Sequence, residues 1–220
     1  MSARLAWPAD RPFAIAIDGP ASSGKTTIGA ALARDLELPF LDTGLLYRAV
    51  GKAAGEAGAD DPATAAAAAE RLAPEALDDP HLGDEAVGAL ASRVAAIPEV
   101  RDALLDWQRD FAARPGGAVL VGRDIGSHVC PDAPCKLFVT ASVEARADRR
   151  FRQLRAVDDT VIHSAVLAEL RRRDARDADR TIAPLVKPVD ALVLDTTSLD
   201  VAAAVSMARS FIEERAARNR

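Results

Sequence analysis

The stretch FAIAIDGPASSGKTT, residues 13–27, decides the fold of this chain. Its first part, residues 13–18, is short, apolar and contains β-branched residues, which predicts a buried strand. Its second part, residues 19–26, matches the pattern G-x-x-x-x-G-K-[ST], and residues 27–36 then follow with the apolar spacing of a helix. A glycine-rich turn between a strand and a helix is the setting in which this pattern holds nucleotide phosphates.

The residue types in this turn explain how it would bind phosphate. Gly19 and Gly24 permit backbone angles that turn N–H groups inward, and the helix that starts near Lys25 adds the positive end of its dipole. We expect Lys25 to reach the β- and γ-phosphates of ATP and the hydroxyl of Thr26 to bind Mg²⁺. The predicted ATP-binding residues are Gly19, Pro20, Ala21, Ser22, Ser23, Gly24, Lys25, Thr26 and Thr27.

Strands and helices alternate along the rest of the chain. Further buried strands are predicted at residues 40–42, 118–121, 136–140 and 191–195. Helices are predicted at residues 27–36, 45–54, 87–96, 100–113 and 161–173, with an Arg-rich helix that opens at Ser142 and a last helix, capped by Ser198, that runs to about Arg215. This alternation predicts an α/β fold with a doubly wound sheet of five parallel strands.

Composition and charge narrow the class of protein. The 220 residues, 49% of them apolar, suit one domain with small insertions. No apolar run approaches the length of a membrane span, and residues 1–11 lack a signal peptide, so a cytoplasmic location is expected. Cys130 and Cys135 are interpreted as reduced cysteines near a buried strand.

The distribution of charge points to a small anionic ligand. The net charge of −5 argues against a general nucleic-acid binder, yet residues 146–180 hold ten arginines against seven acidic residues. A solvated helix face with intrahelical pairs is the alternative reading of these arginines. A GTPase would carry a guanine-reading [NT]-K-x-D, which the chain lacks, whereas a small-molecule kinase needs arginines to bring two polyanions together.

The chain resembles the bacterial cytidylate kinases, which belong to the nucleoside monophosphate kinases. The resemblance runs from Ile15 to about Ala204 and is carried by residues 17–20, 41–48, 91–101, 122–126, 173–177 and 180–185. It implies transfer of the γ-phosphoryl group of ATP to CMP or dCMP, with Mg²⁺, in a monomer. From charge and composition, no nucleic acid or membrane is expected as a partner. It also implies one kinase domain with an acceptor-binding insertion near residues 55–115 and an Arg-rich lid near residues 145–185.

The resemblance further implies roles for individual residues. The residues implied to bind the acceptor are Thr43, Arg48, Arg123 and Arg180 for its phosphate, Ser92, Arg101 and Asp124 for cytosine, and Arg173 and Asp177 for ribose. Those implied to act in catalysis are Lys25, Arg123, Arg180 and the lid arginine Arg176. The planar fork of arginine suits phosphate oxygens, and no general base is needed because the acceptor oxygen is already anionic.

Three departures from the family pattern leave alternatives open. Val121 stands where the family usually has an Asp that we interpret as orienting water on Mg²⁺, so either Asp18 or Asp42 compensates or turnover is reduced. Gly83-Asp84 replaces a common Arg-Thr pair, and Thr26-Thr27 replaces a frequent Gly-Thr.

The competing hypotheses are a kinase of UMP, AMP or shikimate, a nucleotide-binding protein with weak or no kinase activity, and a nucleic-acid-binding accessory protein.

Overall fold

The structure, a computed structural model, describes residues 7–8, 10–56 and 61–218. Its strands are β1 (Ala14–Asp18), β2 (Phe40–Asp42), β3 (Ala118–Gly122), β4 (Cys135–Thr140) and β5 (Leu192–Asp195). They form one sheet in the order β2-β3-β1-β4-β5, and the strands are parallel. The predicted α/β fold with five parallel strands is therefore confirmed, and each strand end lies within one residue of its predicted position.

Helices connect these strands. They are α1 (Lys25–Leu36), α2 (Thr43–Glu56), α3 (Pro62–Glu70), α4 (Glu85–Val94), α5 (Pro98–Ala112), α6 (Val143–Arg155), α7 (His163–Ala178) and α8 (Val201–Arg218). Short 3₁₀ turns lie at Pro74–Asp78 and Pro80–Gly83, and a π turn lies at Ile125–Val129. In the part of the chain that the structure describes, no helix combines the length and hydrophobicity needed to cross a membrane.

Of the two helix caps predicted, Ser142 at α6 is right and Ser198 at α8 is wrong. Ser142 caps α6, where its Oγ accepts a hydrogen bond of 3.2 Å from the N–H of Ala145. The last helix begins at Val201, and the Asp200 carboxylate accepts from the N–H of Ala203 at 2.7 Å. Asp and Ser are equally good caps, so a sequence that offers both within three residues does not decide between them.

The contacts within the chain define two units. The first comprises the residues up to Leu41 and those from Ala112 onward, and it contains most of the sheet. The second, Asp42–Phe111, includes all of α2. Its own apolar core is built around Ala49, Leu82 and Val87.

One face of the sheet packs against α1 and α8. The fully buried core there includes Ile15, Ile17, Val119, Val121, Leu137, Ile28, Leu32, Ala208 and Ile212. Val121 points at α1, where a Cβ added to Gly29 would lie 2.5 Å from Val121 Cγ1 and 3.1 Å from Phe40 Cε2. Val121 is thus a core residue whose methyl group occupies the space that Gly29 leaves open.

Cys135 lies in the same core. It is fully buried in β4, and this burial raises the pKa of its thiol to about 12, so the thiol stays protonated. Such an environment agrees with the prediction of a reduced cysteine beside a buried strand.

The contact between Gly29 and Val121 yields a packing prediction. Gly29→Ala should lower the free energy of unfolding by about 1–3 kcal/mol, because the new methyl group overpacks the core. Adding Val121→Ala should restore most of that loss, since it removes the clashing methyl groups. Urea unfolding of the two single variants and the double variant measures this coupling.

Gly83→Ala is the matched control, because a Cβ there would meet no atom of the described residues within 4 Å. Equal destabilisation by Gly29→Ala and Gly83→Ala, or a double variant in which the two losses simply add, would contradict the packing that we describe.

Candidate active site

The turn between β1 and α1 adopts a conformation that depends on glycine. A Cβ at Gly19 would lie 1.9 Å from the backbone oxygen of Val139, and Gly19 has a φ of 153°. Gly24, immediately before α1, has a φ of 91°, in the left-handed region that side chains disfavour. The turn therefore passes close against β4 before it enters the helix, with both predicted glycines at the positions that require them.

Two side chains of this turn fit a phosphate ligand. Lys25 is buried, and its Nζ donates to the backbone oxygen of Pro20 at 3.0 Å, which holds the ammonium within the turn. Ser23 is fully buried, and its Oγ has no hydrogen-bond partner among the described residues. A buried hydroxyl without a partner is costly unless a ligand satisfies it, and phosphate oxygens are suitable acceptors.

A pocket of about 510 Å³ opens beside the turn. Besides residues 22–28 of the turn and α1, its lining comprises Arg149, Gln153, Thr196, Leu199, Asp200 and Val201. Sequence reasoning missed this second group. A signal was available, because residues 196–201 directly follow β5, and ligands of open α/β sheets bind outside the carboxyl ends of strands.

Arg149 is fixed at this pocket by Thr196. Its guanidinium donates to Thr196 Oγ1 at 2.9 Å and also to the backbone oxygen of Thr196. Thr196 Oγ1 lies 2.9 Å from the backbone oxygen of Ser23 and 3.1 Å from that of Thr140. The hydroxyl thus ties α6 to the phosphate-binding turn and to the end of β4, and it holds a planar cation at the wall of the pocket.

Asp18 connects the end of β1 to the turn that follows β3. It is 1% exposed, and its two carboxylate oxygens accept from the N–H groups of Ile125 and Gly126, both at 2.8 Å. Burial raises the pKa of Asp18 to about 7, although these two N–H groups act in the opposite direction. Its carboxylate therefore anchors the turn that carries Arg123 and Asp124.

Asp42, the other acid considered as a replacement at the metal, has a local contact of its own. Its Oδ1 accepts from the N–H of Gly44 at 2.9 Å, in the first turn of α2. Thr26, an exposed residue, in contrast lines the pocket next to Lys25. A hard hydroxyl oxygen in an open pocket fits Mg²⁺, which otherwise takes water and phosphate oxygens.

A second carboxylate gathers predicted acceptor-binding residues in the first unit. Asp177 is 1% exposed, and it accepts from Arg123 Nε at 3.0 Å and from Arg180 at 2.6 Å. Burial alone would raise the pKa of Asp177, but the charges of Arg123, Arg180 and Arg173 outweigh it and hold the pKa below its ordinary value. The structure thus brings together four predicted acceptor-binding residues, three arginines and one aspartate, so the cluster carries a net positive charge.

Two other predicted residues of this unit lie in different surroundings. Asp124 is buried, directly before the π turn. Arg176 lies on the outer surface of α7, where it pairs with Glu169 at 2.8 Å.

The second unit holds the remaining predicted residues. Arg48 Nη1 donates to the backbone oxygens of Leu82 and Asp84 at 2.5 and 3.0 Å, so the segment that lacks the family's Arg-Thr pair instead supports Arg48. Arg101 is buried and donates to the backbone oxygen of Ala95 at 3.2 Å. The Ser92 side chain is also buried, with no hydrogen-bond partner for its Oγ among the described residues. Thr43, likewise buried, is the first residue of α2.

The fold and this site together define a phosphate-loop kinase. A glycine-dependent turn between β1 and α1, a buried lysine, a pocket beside them and a cluster of arginines are the parts that phosphoryl transfer requires.

Comparison with known proteins gives the family. The family model described as cytidylate kinase matches residues 15–214. The cytidylate kinase of Azorhizobium caulinodans is 54% identical over 200 residues, which cover 90% of this chain and 97% of that protein. The cytidylate kinase of a Methylobacterium species is 61% identical over 173 residues, which cover 78% and 82%. This chain therefore belongs to the cytidylate kinase family.

A solved structure supports the fold alone. A gluconokinase from Sinorhizobium meliloti matches with a TM-score of 0.52 at 17% identity, covering 99% of this chain and 97% of that one.

The raised pKa of Asp18 yields a prediction about stability. Since this pKa is about 7 in the folded state and about 4 in an unfolded chain, the folded state retains a proton in this interval that the unfolded state releases. The contribution of Asp18 to the free energy of unfolding should therefore fall as pH rises from about 4 to about 7, by at most about 1.4 kcal/mol per pH unit.

Urea unfolding of the wild type and of Asp18→Asn across this interval isolates that contribution, because the variant has no proton to lose. The difference between the two free energies should decrease with pH and then level off. A difference that stays constant would show that the pKa of Asp18 is the same in the folded and unfolded states, and one that grows with pH would show that folding lowers it.

Proposed function

We propose that this chain transfers the γ-phosphoryl group of ATP to CMP, giving ADP and CDP, and that it accepts dCMP as well. The observation that carries the proposal is a buried cluster in which Arg123 and Arg180 both bind Asp177. The charge of Arg173 also lowers the pKa of Asp177. Three guanidinium groups around one carboxylate leave a positive excess that a phosphate dianion would neutralise. Membership of the cytidylate kinase family supports the same acceptor.

The donor would bind at the phosphate-binding turn. Backbone N–H groups of residues 19–24, the start of α1 and Lys25 would hold the phosphates of ATP, and the base would enter the pocket beside the turn. There the planar guanidinium of Arg149 offers a surface on which a purine can stack. Thr26 would hold Mg²⁺, which supplies positive charge to the phosphate oxygens when it is bound.

Cytosine would be recognised by Ser92, Arg101 and Asp124. Its edge presents an amino donor next to a ring nitrogen and a carbonyl that accept, which a carboxylate together with an arginine and a hydroxyl complement. The Ser92 hydroxyl, buried and without a partner among the described residues, supports this role because a ligand would satisfy it. The same argument favours CMP over the purine monophosphates.

The remaining acceptor contacts divide between phosphate and sugar. We assign Thr43, Arg48, Arg123 and Arg180 to the phosphate of CMP, and Arg173 and Asp177 to its ribose. These assignments follow the family resemblance, and they agree with the presence of fixed, hydrogen-bonded guanidinium groups at positions 48, 123 and 180.

Catalysis would then consist of positioning and of charge neutralisation. The attacking oxygen belongs to a phosphate that is already anionic, so no side chain has to remove a proton. Lys25, Arg123 and Arg180 would stabilise the charge that spreads over the transferred group, and Arg176 would add to them from the lid. We further propose that the protein acts as a cytoplasmic monomer, without nucleic acid or membrane, in keeping with its net charge of −5.

The proposal is tested by measuring ADP release with Mg-ATP and, separately, CMP, dCMP, UMP, AMP and GMP. Release driven mainly by CMP and dCMP supports it. Equal release with AMP or UMP would overturn the acceptor assignment, and release with none of them, while ATP still binds, would overturn the kinase assignment.

A substitution in the arginine cluster tests the acceptor site directly. Arg180→Lys keeps the charge but loses the planar guanidinium that donates to Asp177, so kcat/KM for CMP should fall about 100-fold or more. The KM for ATP should stay within about twofold of the wild type. Steady-state kinetics with each substrate varied in turn separates the two effects.

Arg171→Lys is the matched control for this variant. Arg171 is exposed on α7 and pairs with Glu144 of α6 at 3.3 Å, away from the residues assigned to the acceptor. A similar loss in both variants, or a KM for ATP that rises as much as that for CMP, would argue against an acceptor role for Arg180.

A further inference from the structure

Arg146 is a buried arginine that neither the sequence motifs nor the proposed mechanism accounts for. It belongs to α6, and its side chain is 6% exposed. Its two terminal nitrogens bind the two carboxylate oxygens of Asp174 on α7, at 3.0 and 2.6 Å. Such a forked pair fixes the position of both groups and not only the distance between them.

The same guanidinium also reaches the phosphate-binding turn. Its Nη1 donates to the backbone oxygen of Ala21 at 3.2 Å, and its Nε donates to the backbone oxygen of Ala141, after β4, at 3.1 Å. Four hydrogen bonds from one side chain thus join α6, α7, the end of β4 and the turn. Because the backbone oxygen of Ala21 is held from one side, the peptide group that it belongs to cannot rotate without breaking a charge-assisted bond.

Apolar packing attaches the turn at the same residue. The side chain of Ala21 is 5% exposed and lies in a small cluster with Ala147 of α6 and with Val166 and Leu170 of α7. The turn is therefore attached to the pair of helices both by its backbone oxygen and by its methyl group. This cluster is separate from the main core on α1 and α8.

We propose that Arg146 is a positioning residue that, together with Asp174, sets the phosphate-binding turn and α7 relative to each other. Asp174 directly follows Arg173 and lies one helical turn before Asp177, so the same pair fixes the part of α7 that carries two predicted acceptor contacts. The affinity of the turn for nucleotide phosphates then depends on the Arg146–Asp174 pair. The part of the inference that concerns CMP rests on the proposed function, and the part that concerns the nucleotide does not.

The chain offers a matched control pair on the same two helices. Glu144 of α6 and Arg171 of α7 also form an ion pair, at 3.3 Å, with side chains that are 63% and 60% exposed. Removing this pair tests whether any ion pair between α6 and α7 supports nucleotide binding, or whether only the pair that also reaches Ala21 does.

Calorimetric binding of ADP, without acceptor, is the decisive measurement on the full-length chain. Asp174→Asn keeps the size of the side chain and should weaken ADP binding about tenfold, whereas Glu144→Gln should change it by less than about twofold. Arg146→Lys should resemble Asp174→Asn, because an ammonium cannot serve the carboxylate fork and both backbone oxygens together. Thermal unfolding monitors whether each variant is folded at the temperature of the assay.

The outcomes are distinguishable. Folded Asp174→Asn with wild-type affinity for ADP would overturn the proposal, as would equal losses in Asp174→Asn and Glu144→Gln. If ADP binding weakens as expected but CMP drives no ADP release in any form of the protein, the positioning role stands and the proposed function fails. If ADP binding weakens and the KM for CMP rises with it, the pair positions both sides of the site.

Discussion

The close approach of Gly19 to β4 is the constraint on which the rest of the site depends. A Cβ at this position would overlap the backbone oxygen of Val139 at 1.9 Å, so the chain can turn from β1 toward α1 along this path only with glycine. The path determines where α1 begins, and with it where Lys25, Ser23 and the positive end of the helix dipole lie. The pocket beside the turn and the link through Thr196 follow from the same placement.

Three carboxylates, two of them buried and the third half-buried, organise the site around this turn. Asp18 holds two N–H groups of the turn after β3, Asp177 holds Arg123 and Arg180, and Asp174 holds Arg146. Each carboxylate takes the place of water as hydrogen-bond partner of these N–H or guanidinium groups, which offsets part of the cost of burying them. The result is a set of arginines whose guanidinium groups are oriented before any ligand binds, so less conformational entropy is lost on binding.

Much of the fold was predictable from the sequence because its strands are short apolar runs, and each run has turn-forming residues on both sides. The phosphate-binding turn was predictable because its glycines and lysine are required by geometry and charge at fixed positions. The end of α7 was not: the apolar spacing stops near Leu170, while the helix continues to Ala178 through charged residues that pair with one another and with α6. Arg149 and Arg146 were equally hidden, since nothing local separates them from the exposed arginines of the same helix.

Val121 shows why a residue that departs from a family pattern has to be interpreted in its structural surroundings. Read along the sequence, it is a missing acid and hence a loss at the metal site. In the structure it is fully buried in the core that also holds Ile17 and Phe40, and Gly29 provides the room that its methyl groups fill. A carboxylate at this position would lie against the same apolar groups, where it needs a partner to be tolerated. Positions 29 and 121 therefore form one packing unit, and the effect of either residue on activity has to be judged with the other in place.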